Sequence, residues 1–471
     1  MSIQPVLLLT DLLVFILVLC AAALVVHARR QPPLREAWRR VGEHPAAMTA
    51  ASILLAFALI GLLDSLHYRP QLPPGQGAAA KTVYSSEVLS ALDALLVPLR
   101  TQTEKTYSAP FARRLFQRET VETPDGGQTR DFPRLQYGAR HLQDDDSLLA
   151  DLAARLAWTP FAALAVSGCA LLALALAVAR GRACRLGEAV RLILAGRTTL
   201  AWRPALVVLF MAALLVAAVA ALGPHYHMLG TDKVGQDVLY LSLKSIRTGL
   251  VIGTLTALIM LPFAAALGIA AGYLGGWVDD LIQYIYTVLN SIPAVLLIAA
   301  SVLMMQVVID THPQWFDTAA QRSDARLLAL CAILGITSWT NLCRLLRGET
   351  LKLRELDYVQ AARAFGASTP VILRRHILPN VMHIVLITVV MDFSGLVLAE
   401  AVLSYVGIGV DPTTISFGSM INMARAELAR EPAVWWSLVS AFVFMLLLVL
   451  AANLLADAVR DAFDPRLRRS R

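Results

Sequence analysis

A carboxylate in the middle of an apolar run is the residue of this chain best placed to do chemistry. Asp392 lies within the run 381–406, where a charge is costly unless it faces protein or water. It either lines a path and meets a cationic group on a passing solute, or hydrogen-bonds a neighbouring span, for example at Asn290 or Ser394. Glu400 lies nearer the outer end of the same run and reads more as a structural acid than as a solute contact. Asp392, Glu400 and Asn290 are therefore the candidate path residues. Covalent chemistry finds little support. Gly75-Gln-Gly-Ala-Ala-Ala-Lys-Thr82 approaches the phosphate loop GxxxxGK[ST], but Ala80 occupies the glycine position before Lys81. HExxH and GxSxG are absent. His225 and His227 read as a surface pair at a membrane edge in preference to a metal site, and Asp144-Asp145-Asp146 reads as a solvated acidic run. The five cysteines, at 20, 169, 184, 331 and 343, show no ligand spacing and read as small apolar fillers. No catalytic or metal site is expected, so any work the chain does must draw its energy from elsewhere.

The most informative stretch is mechanical. Tyr358 to Asn380, YVQAARAFGASTPVILRRHILPN, is a polar, capped helical hairpin between hydrophobic spans. Glu355 to Phe365 reads as a short helix with Tyr358, Ala361, Ala362 and Phe365 on one face. Gly366, lacking a Cβ, is a natural left-handed stop. Ser368 or Thr369 can cap a second helix, with Pro370 tolerated in its first turn. Pro379 closes that helix or bends the chain into the next span. Such a knob suits a grip for a soluble partner; the plainer alternative is a basic loop that only orients the protein.

Composition independently requires a membrane. Hydrophobic residues make up 57% and charged residues 16% of 471, and mean hydropathy is +0.62. A soluble domain carries about a quarter charged residues. Apolar runs near 6–26, 46–63, 159–179, 204–222, 248–271, 284–308, 327–343, 381–406 and 434–455 each approach the roughly 20 residues that cross hydrocarbon as a helix. The fold class expected is all-α, a polytopic membrane protein of about nine transmembrane helices. Arginines concentrate in 28–45, in 180–203, around the hairpin and in the tail (Arg460, Arg466, Arg468, Arg469, Arg471). Nine spans place all four segments on one side, which the positive-inside rule makes cytoplasmic. The amino terminus is then outside and the carboxyl terminus inside. Gly272–Gln283 dissents, with Asp279 and Asp280 and no cation on a side that should be basic. The first span has no basic residue before it and Arg29 and Arg30 after it, unlike a cleavable signal peptide. The net charge of +7 is a topology signal; no basic stripe with interleaved aromatics suggests nucleic acid.

The hairpin resembles the coupling loop of ABC-importer permeases, whose pattern is Glu-Ala-Ala, three residues, Gly, nine residues, Ile-x-Leu-Pro. Gln360-Ala361-Ala362, Gly366 and His376-Ile377-Leu378-Pro379 keep that spacing, with Gln360 replacing glutamate and His376 replacing isoleucine. The ending HILPN is similar to the dipeptide and oligopeptide branch. Other landmarks of that branch follow in order. His227 to Val238 resembles "LGTDxxGRD", with Gln236 where arginine is usual. Gly272 to Asp279 resembles "GYxGGWxD". Ser291-Ile-Pro293 resembles a break inside the third core span, Glu400 to Gly409 resembles "EAsLSFLGLG", and Asp457 to Arg466 resembles "DgLRDalDPR".

The resemblance implies a type I permease core of six helices over 203–471, with the coupling hairpin at about 355–380. Its docking residues would be Tyr358, Gln360, Ala361, Ala362, Phe365, Gly366, His376, Leu378 and Pro379. It further implies a bacterial inner-membrane subunit that pairs with a second homologous permease. Two cytoplasmic ATPase subunits would hold ATP and magnesium, so that this chain carries no cofactor, and a periplasmic binding protein would deliver the solute. The implied cargo is a dipeptide, an oligopeptide or a peptide-like solute, with nickel complexes in some relatives. An ion-coupled secondary carrier is the alternative, although no convincing internal repeat supports it. Residues 1–202 have no counterpart in the common form. They add three predicted spans and an outside insert of about 64–158. In the insert, Ser86 could cap a helix over Glu87–Leu99 with Val88, Leu92, Leu95 and Leu96 on one face. Asp146 or Ser147 could start another through Leu156, and Pro124-Asp-Gly-Gly127 suits a hairpin turn.

Overall fold

The computed structural model describes residues 3–71, 84–122, 128–143, 146–316, 318–411 and 413–463. The near-phosphate loop at 75–82, the turn at 124–127, Asp144 and Asp145, and the tail from 464 lie outside them. Among the described residues the protein is predominantly α-helical, and nine helical segments are long and apolar enough to cross a bilayer. They match the nine apolar runs because a span must satisfy its backbone internally while presenting apolar side chains to lipid.

Strand β1 (Ile3–Val6) leads into α1 (Leu9–Arg30), which ends where Gln31 is extended ahead of Pro32. Amphipathic α2 (Pro32–Glu43) follows, then the span α3 (Pro45–Asp64) with proline in its first turn. β2 (His67–Pro70) pairs antiparallel with β1 and with β3 (Leu89–Ser90). Two short helices, α4 (Ala91–Leu95) and α5 (Val97–Thr101), stand where one helix over Glu87–Leu99 is expected. The cap is Ser90, not Ser86: its hydroxyl accepts from Asp93 N–H at 3.1 Å and Asp93 accepts from Ser90 N–H at 2.9 Å. Pairing to β2 claims Leu89 for a strand, and Pro98, which has no N–H to donate, restarts the helix at Val97. β4 (Glu119–Glu122) and β5 (Gln128–Asp131) pair antiparallel on either side of the expected turn. α6 (Leu148–Leu156) begins after Ser147, one of the two starts expected, though the Ser147 side chain makes no capping bond, and α7 (Thr159–Arg182) continues the same span.

α8 (Leu186–Leu194) is amphipathic, and α9 (Trp202–Leu222) is the next span. α10 (Val238–Leu274) is capped by Asp237, whose carboxylate accepts from the N–H groups of Leu239 and Tyr240 at 2.9 and 3.3 Å. The run 284–308 is two helices, α11 (Gly276–Ser291) and α12 (Ala294–Thr311), broken at Ile292-Pro293. α13 (Ala319–Ser338) and α14 (Thr340–Arg354) form one long span. Then come α15 (Asp357–Ala364), α16 (Thr369–Ile372), α17 (Leu378–Val406), α18 (Phe417–Glu427) and α19 (Trp436–Phe463).

Two compact units divide the chain. The first comprises Met1–Val6, Pro32–Thr248 and Ile415–Leu455; the second comprises Leu7–Gln31, Gly249–Thr414 and Ala456–Arg471. In the first, α7, α8 and α9 pack around Ala175, Ala189 and Ile193. Buried alanines let helix axes approach closely, the usual source of packing between spans. Lys244 of α10 reaches Asp93 at 2.9 Å and Asp64 at 3.3 Å, which ties α4 and the end of α3 to α10. Burial opposes ionisation of Asp93, but Lys244 prevails and holds its carboxyl below the ordinary range. In the second unit, α1 packs on α13, with Asp324 accepting from the Thr10 N–H at 3.1 Å and from its hydroxyl. The sequence division at 202/203 follows family likeness; these units follow packing, and α1 packs with the later residues.

Candidate functional site

The hairpin is built by backbone chemistry and held by a buried anchor. α15 stops at Gly366, whose φ is +79°. Ala367 N–H reaches Ala362 O and Gly366 N–H reaches Arg363 O, each at 3.0 Å. This pair of bonds is the Schellman arrangement, and it satisfies carbonyls that the ending helix would otherwise leave open. Ser368 then turns extended and α16 begins with Pro370 in its first turn. Pro379 does not close the second helix; the chain passes through it into the next span. α16 runs through a π-helical turn, Leu373–Ile377, directly into α17, so that Thr369–Val406 is one helical segment. A proline lacks the N–H for the i−4 carbonyl and crowds it, and a wider turn just before it relieves both problems.

Val359, Ile372 and Ile377 are the anchors; Ile377 falls within the sequence pattern, but none of the three is among the docking residues expected from it. All three are at most 2% exposed and join Leu342, Cys343 and Leu346 of α14, Ala264 and Ala271 of α10, and Ile282 of α11 in one apolar cluster. Ala362 and Leu378 lie half-buried against this cluster, so Ala362 belongs to the inner face instead of sharing the outer face with Tyr358. Gln360, Ala361 and Gly366 are exposed, as is Pro379, and Phe365 is 91% exposed. The hairpin's arms are also tied on the outside. Asn380 Nδ2 donates to Tyr358 Oη at 3.1 Å and to His376 O at 2.6 Å, and the Tyr358 and His376 rings lie 6.0 Å apart.

The spans behind the hairpin are locked to it. Arg347 of α14 grips Asp279 of α11 in a bidentate pair, at 2.5 and 2.7 Å. Hydrogen bonds from that guanidinium hold the Asp279 carboxyl below its usual range. The acidic segment that dissents from the charge pattern thus carries its counter-ion from another helix. A Cβ at Gly272 would lie 2.7 Å from Arg347 O, so glycine there allows α10 and α14 to touch backbone to backbone. The hairpin therefore shares one packed cluster with α10, α11, α14 and α17.

The candidate path residues do not form a hydrogen-bonded set. Asn290, beside the Ile292-Pro293 break, accepts from Thr340 Oγ1 at 3.0 Å. Glu400 is buried and accepts from Ser404 Oγ at 2.7 Å, in keeping with a structural acid. Ser394 donates to Met391 O, so neither partner suggested for Asp392 is engaged with it. Asp392 is half-buried and has no hydrogen-bond or ion-pair partner among the described residues.

The family model for the binding-protein-dependent transport system inner membrane component matches residues 264–469. The oligopeptide transport system permease protein OppC of Mycobacterium tuberculosis is 33% identical over 242 residues, covering 51% of this chain and 77% of its own length. The chain belongs to the binding-protein-dependent inner-membrane permease family. The glutathione transport system permease protein GsiD of Pectobacterium atrosepticum is 34% identical over 242 residues, 51% of this permease and 73% of its own length. The dipeptide transport system permease protein DppC of Bacillus subtilis is 30% identical over 243 residues, 52% and 70% respectively.

One polar cluster of the permease overturns an expectation. His227 is not a surface residue. It is 4% exposed, with Nδ1 2.9 Å from Asp237 and Nε2 3.4 Å from Glu104. Glu104 also accepts from the N–H groups of Gln136, Tyr137 and Gly138 at 2.8–3.0 Å. Burial alone would raise the Glu104 carboxyl, but the His227 and backbone donors bring it down to about 2. Burial alone would lower the imidazole, but the two carboxylates lift it to about 9. His227 is thus a charged structural strut between insert and core. The local His-x-His spacing could not reveal this, because its second carboxylate lies far back in the chain. Among the described residues no cluster of ligands suits a metal ion.

Proposed function

We propose that this permease, with a second homologous permease, forms the membrane path of an ATP-driven importer of peptides or peptide-like solutes. ATP and magnesium are held by two cytoplasmic ATPase subunits, and a periplasmic binding protein delivers the cargo. The observation that carries this reading is the hairpin. It is an exposed knob with a glycine stop at Gly366 in a permease-family chain, rooted in the same apolar cluster as four helices. Tyr358, Gln360, Ala361, Phe365 and Gly366 form the docking surface, backed by Ala362, His376, Leu378 and Pro379. Nucleotide-driven movement of the ATPases displaces the knob, and the anchors Val359, Ile372 and Ile377 pass the displacement to the spans. The relatives are named for oligopeptide, dipeptide and glutathione transport, which supports peptide cargo over an ion-coupled carrier. The arginine-rich segments and the matched Asp279–Arg347 pair support a cytoplasmic hairpin and carboxyl terminus and an external amino terminus. Chemistry on the solute has no part in this reading.

Stimulation of ATP hydrolysis in the reconstituted complex tests it directly. Di- and oligopeptides with the cognate binding protein are expected to raise turnover severalfold, and no stimulation by any peptide would overturn the cargo. Asp392 supplies the path in this reading, its unpartnered carboxylate meeting the amino group of the peptide. Asp392→Asn is expected to slow uptake of peptides with a free amino terminus about tenfold, the effect of losing roughly 1.4 kcal/mol. N-acetylated peptides should be unaffected. Undiminished uptake of both would leave Asp392 a structural residue.

A further inference from the structure

α7, α8 and α9 enclose a groove of about 440 Å³ that the transport reading does not use. Its walls are Leu164 and Leu171 of α7 and Leu206 and Phe210 of α9, and its floor is Gly168. The Ser167 hydroxyl on the same wall is turned back onto Ala163 O, so it presents no donor. One polar group remains, Arg203, at the start of α9. The left-handed turn at Gly196, φ +70°, lies against its stem: a Cβ there would be 3.2 Å from Arg203 Cδ. The Arg203 guanidinium has no hydrogen-bond or ion-pair partner among the described residues, and the same holds for Arg180, Arg182, Arg191 and Arg197. The segment 180–203 holds six arginines against one acid, Glu188, which accepts from the Arg185 backbone N–H.

We propose that this groove is a binding site for an anionic phospholipid of the surrounding bilayer, with an acyl chain along the apolar walls and the phosphate on Arg203. The helices that form the walls are spans, so the medium filling the groove is hydrocarbon and not water. The basic end lies where a span meets the headgroups, the level at which arginines extend to the interface and basic pockets between helices hold lipid phosphate. A free phosphate would need the arginine but not the groove. The two requirements can be removed separately. A Cβ at Gly168 meets no atom within 4 Å, so Gly168→Leu fills the groove without disturbing the packing, whereas Arg203→Gln removes the charge and leaves the groove open.

The test is native mass spectrometry of the full-length protein, delipidated in mild detergent and titrated with phosphatidylglycerol or with phosphatidylcholine of the same chains. The wild type is expected to retain phosphatidylglycerol preferentially. Arg203→Gln should lower that retention about fivefold, the factor expected for one arginine at an anionic surface. Gly168→Leu should lower retention by a comparable factor. Gly348→Leu, at an equally open glycine of the other compact unit, should leave it unchanged and so reports intact protein. Unaltered retention in Gly168→Leu, or equal retention of the two lipids by the wild type, overturns the proposal. Loss in Arg203→Gln alone also overturns it, in favour of a bare anion-binding surface.

Discussion

Gly366→Val is expected to abolish most uptake, by at least about tenfold, while ATP hydrolysis continues. The glycine sits at φ +79°, and a Cβ there meets no atom within 4 Å. The strain is therefore in the backbone alone, about 1–2 kcal/mol for an ordinary L-residue in this region and more for a β-branched one. Relief requires the turn to flip, which breaks the bonds from Gly366 and Ala367 N–H to the end of α15. Val359, Ile372 and Ile377 stay buried on either side, so the protein should fold and reach the membrane. What changes is the geometry of the exposed knob, and an ATPase gripping it would move the knob without moving the spans. A graded series distinguishes this from general damage. Gly366→Asn, whose side chain tolerates the left-handed region, should stay near wild type, and Gly366→Ala should fall between Asn and Val. Uptake and ATP hydrolysis are compared at equal membrane abundance. Wild-type uptake by Gly366→Val would remove this residue from the coupling role.

His227→Leu should be the most destabilising single change outside the spans. It leaves Glu104 and Asp237 buried and facing each other without the intervening cation, at a cost of about 3–5 kcal/mol for a broken buried pair. Thermal unfolding of the purified protein should shift downward, and the segment around Glu104 should become sensitive to limited proteolysis. The pH dependence has a definite sign. The folded pKa of His227 is raised to about 9 from an ordinary 6.5, so its stabilisation is complete below about 6.5 and is lost as pH rises through about 9. The folded pKa of Glu104 is lowered to about 2 from 4.5, so its contribution is present above about 4.5 and is lost as pH falls through about 2. Wild-type stability should decline on the alkaline side between these His227 values, and His227→Leu should lack that decline. An unshifted melting temperature, or the same alkaline decline in the variant, would show that the cluster does not hold the insert in place.

Much of the architecture was legible because its causes are local. A bilayer requires about 20 apolar residues per helix, and the nine such runs correspond to the nine spans among the described residues. Proline disfavours helix at the residue before it, and the break at Ile292-Pro293 stands where the family resemblance put it. Gly366 announced a left-handed stop, and Asp146-Ser147 a helix start. Local rules failed where a distant partner competed. Leu89 went to a strand because β2 offered hydrogen bonds, and the cap moved from Ser86 to Ser90. Pro379 promised either a helix end or a bend into the next span, and a π turn just before it carries the helix on.

Most of the exposed side of the hairpin was legible, apart from the inward-facing Ala362, and its roots were not. Tyr358, Ala361, Phe365 and Gly366 follow from spacing and glycine chemistry. Val359, Ile372 and Ile377 are ordinary apolar residues in an apolar chain, and only the packing of α10, α11 and α14 around them marks them as anchors. Charge followed the same division. Arginine counts along the chain are sufficient to propose the orientation of the membrane protein, because each flanking charge acts independently on insertion. The pairs that hold it together, Arg347 with Asp279, Lys244 with Asp93 and His227 with Glu104, required the tertiary structure. Their energy depends on distances of about 3 Å between residues far apart in sequence, and such proximity exists only after the helices have packed.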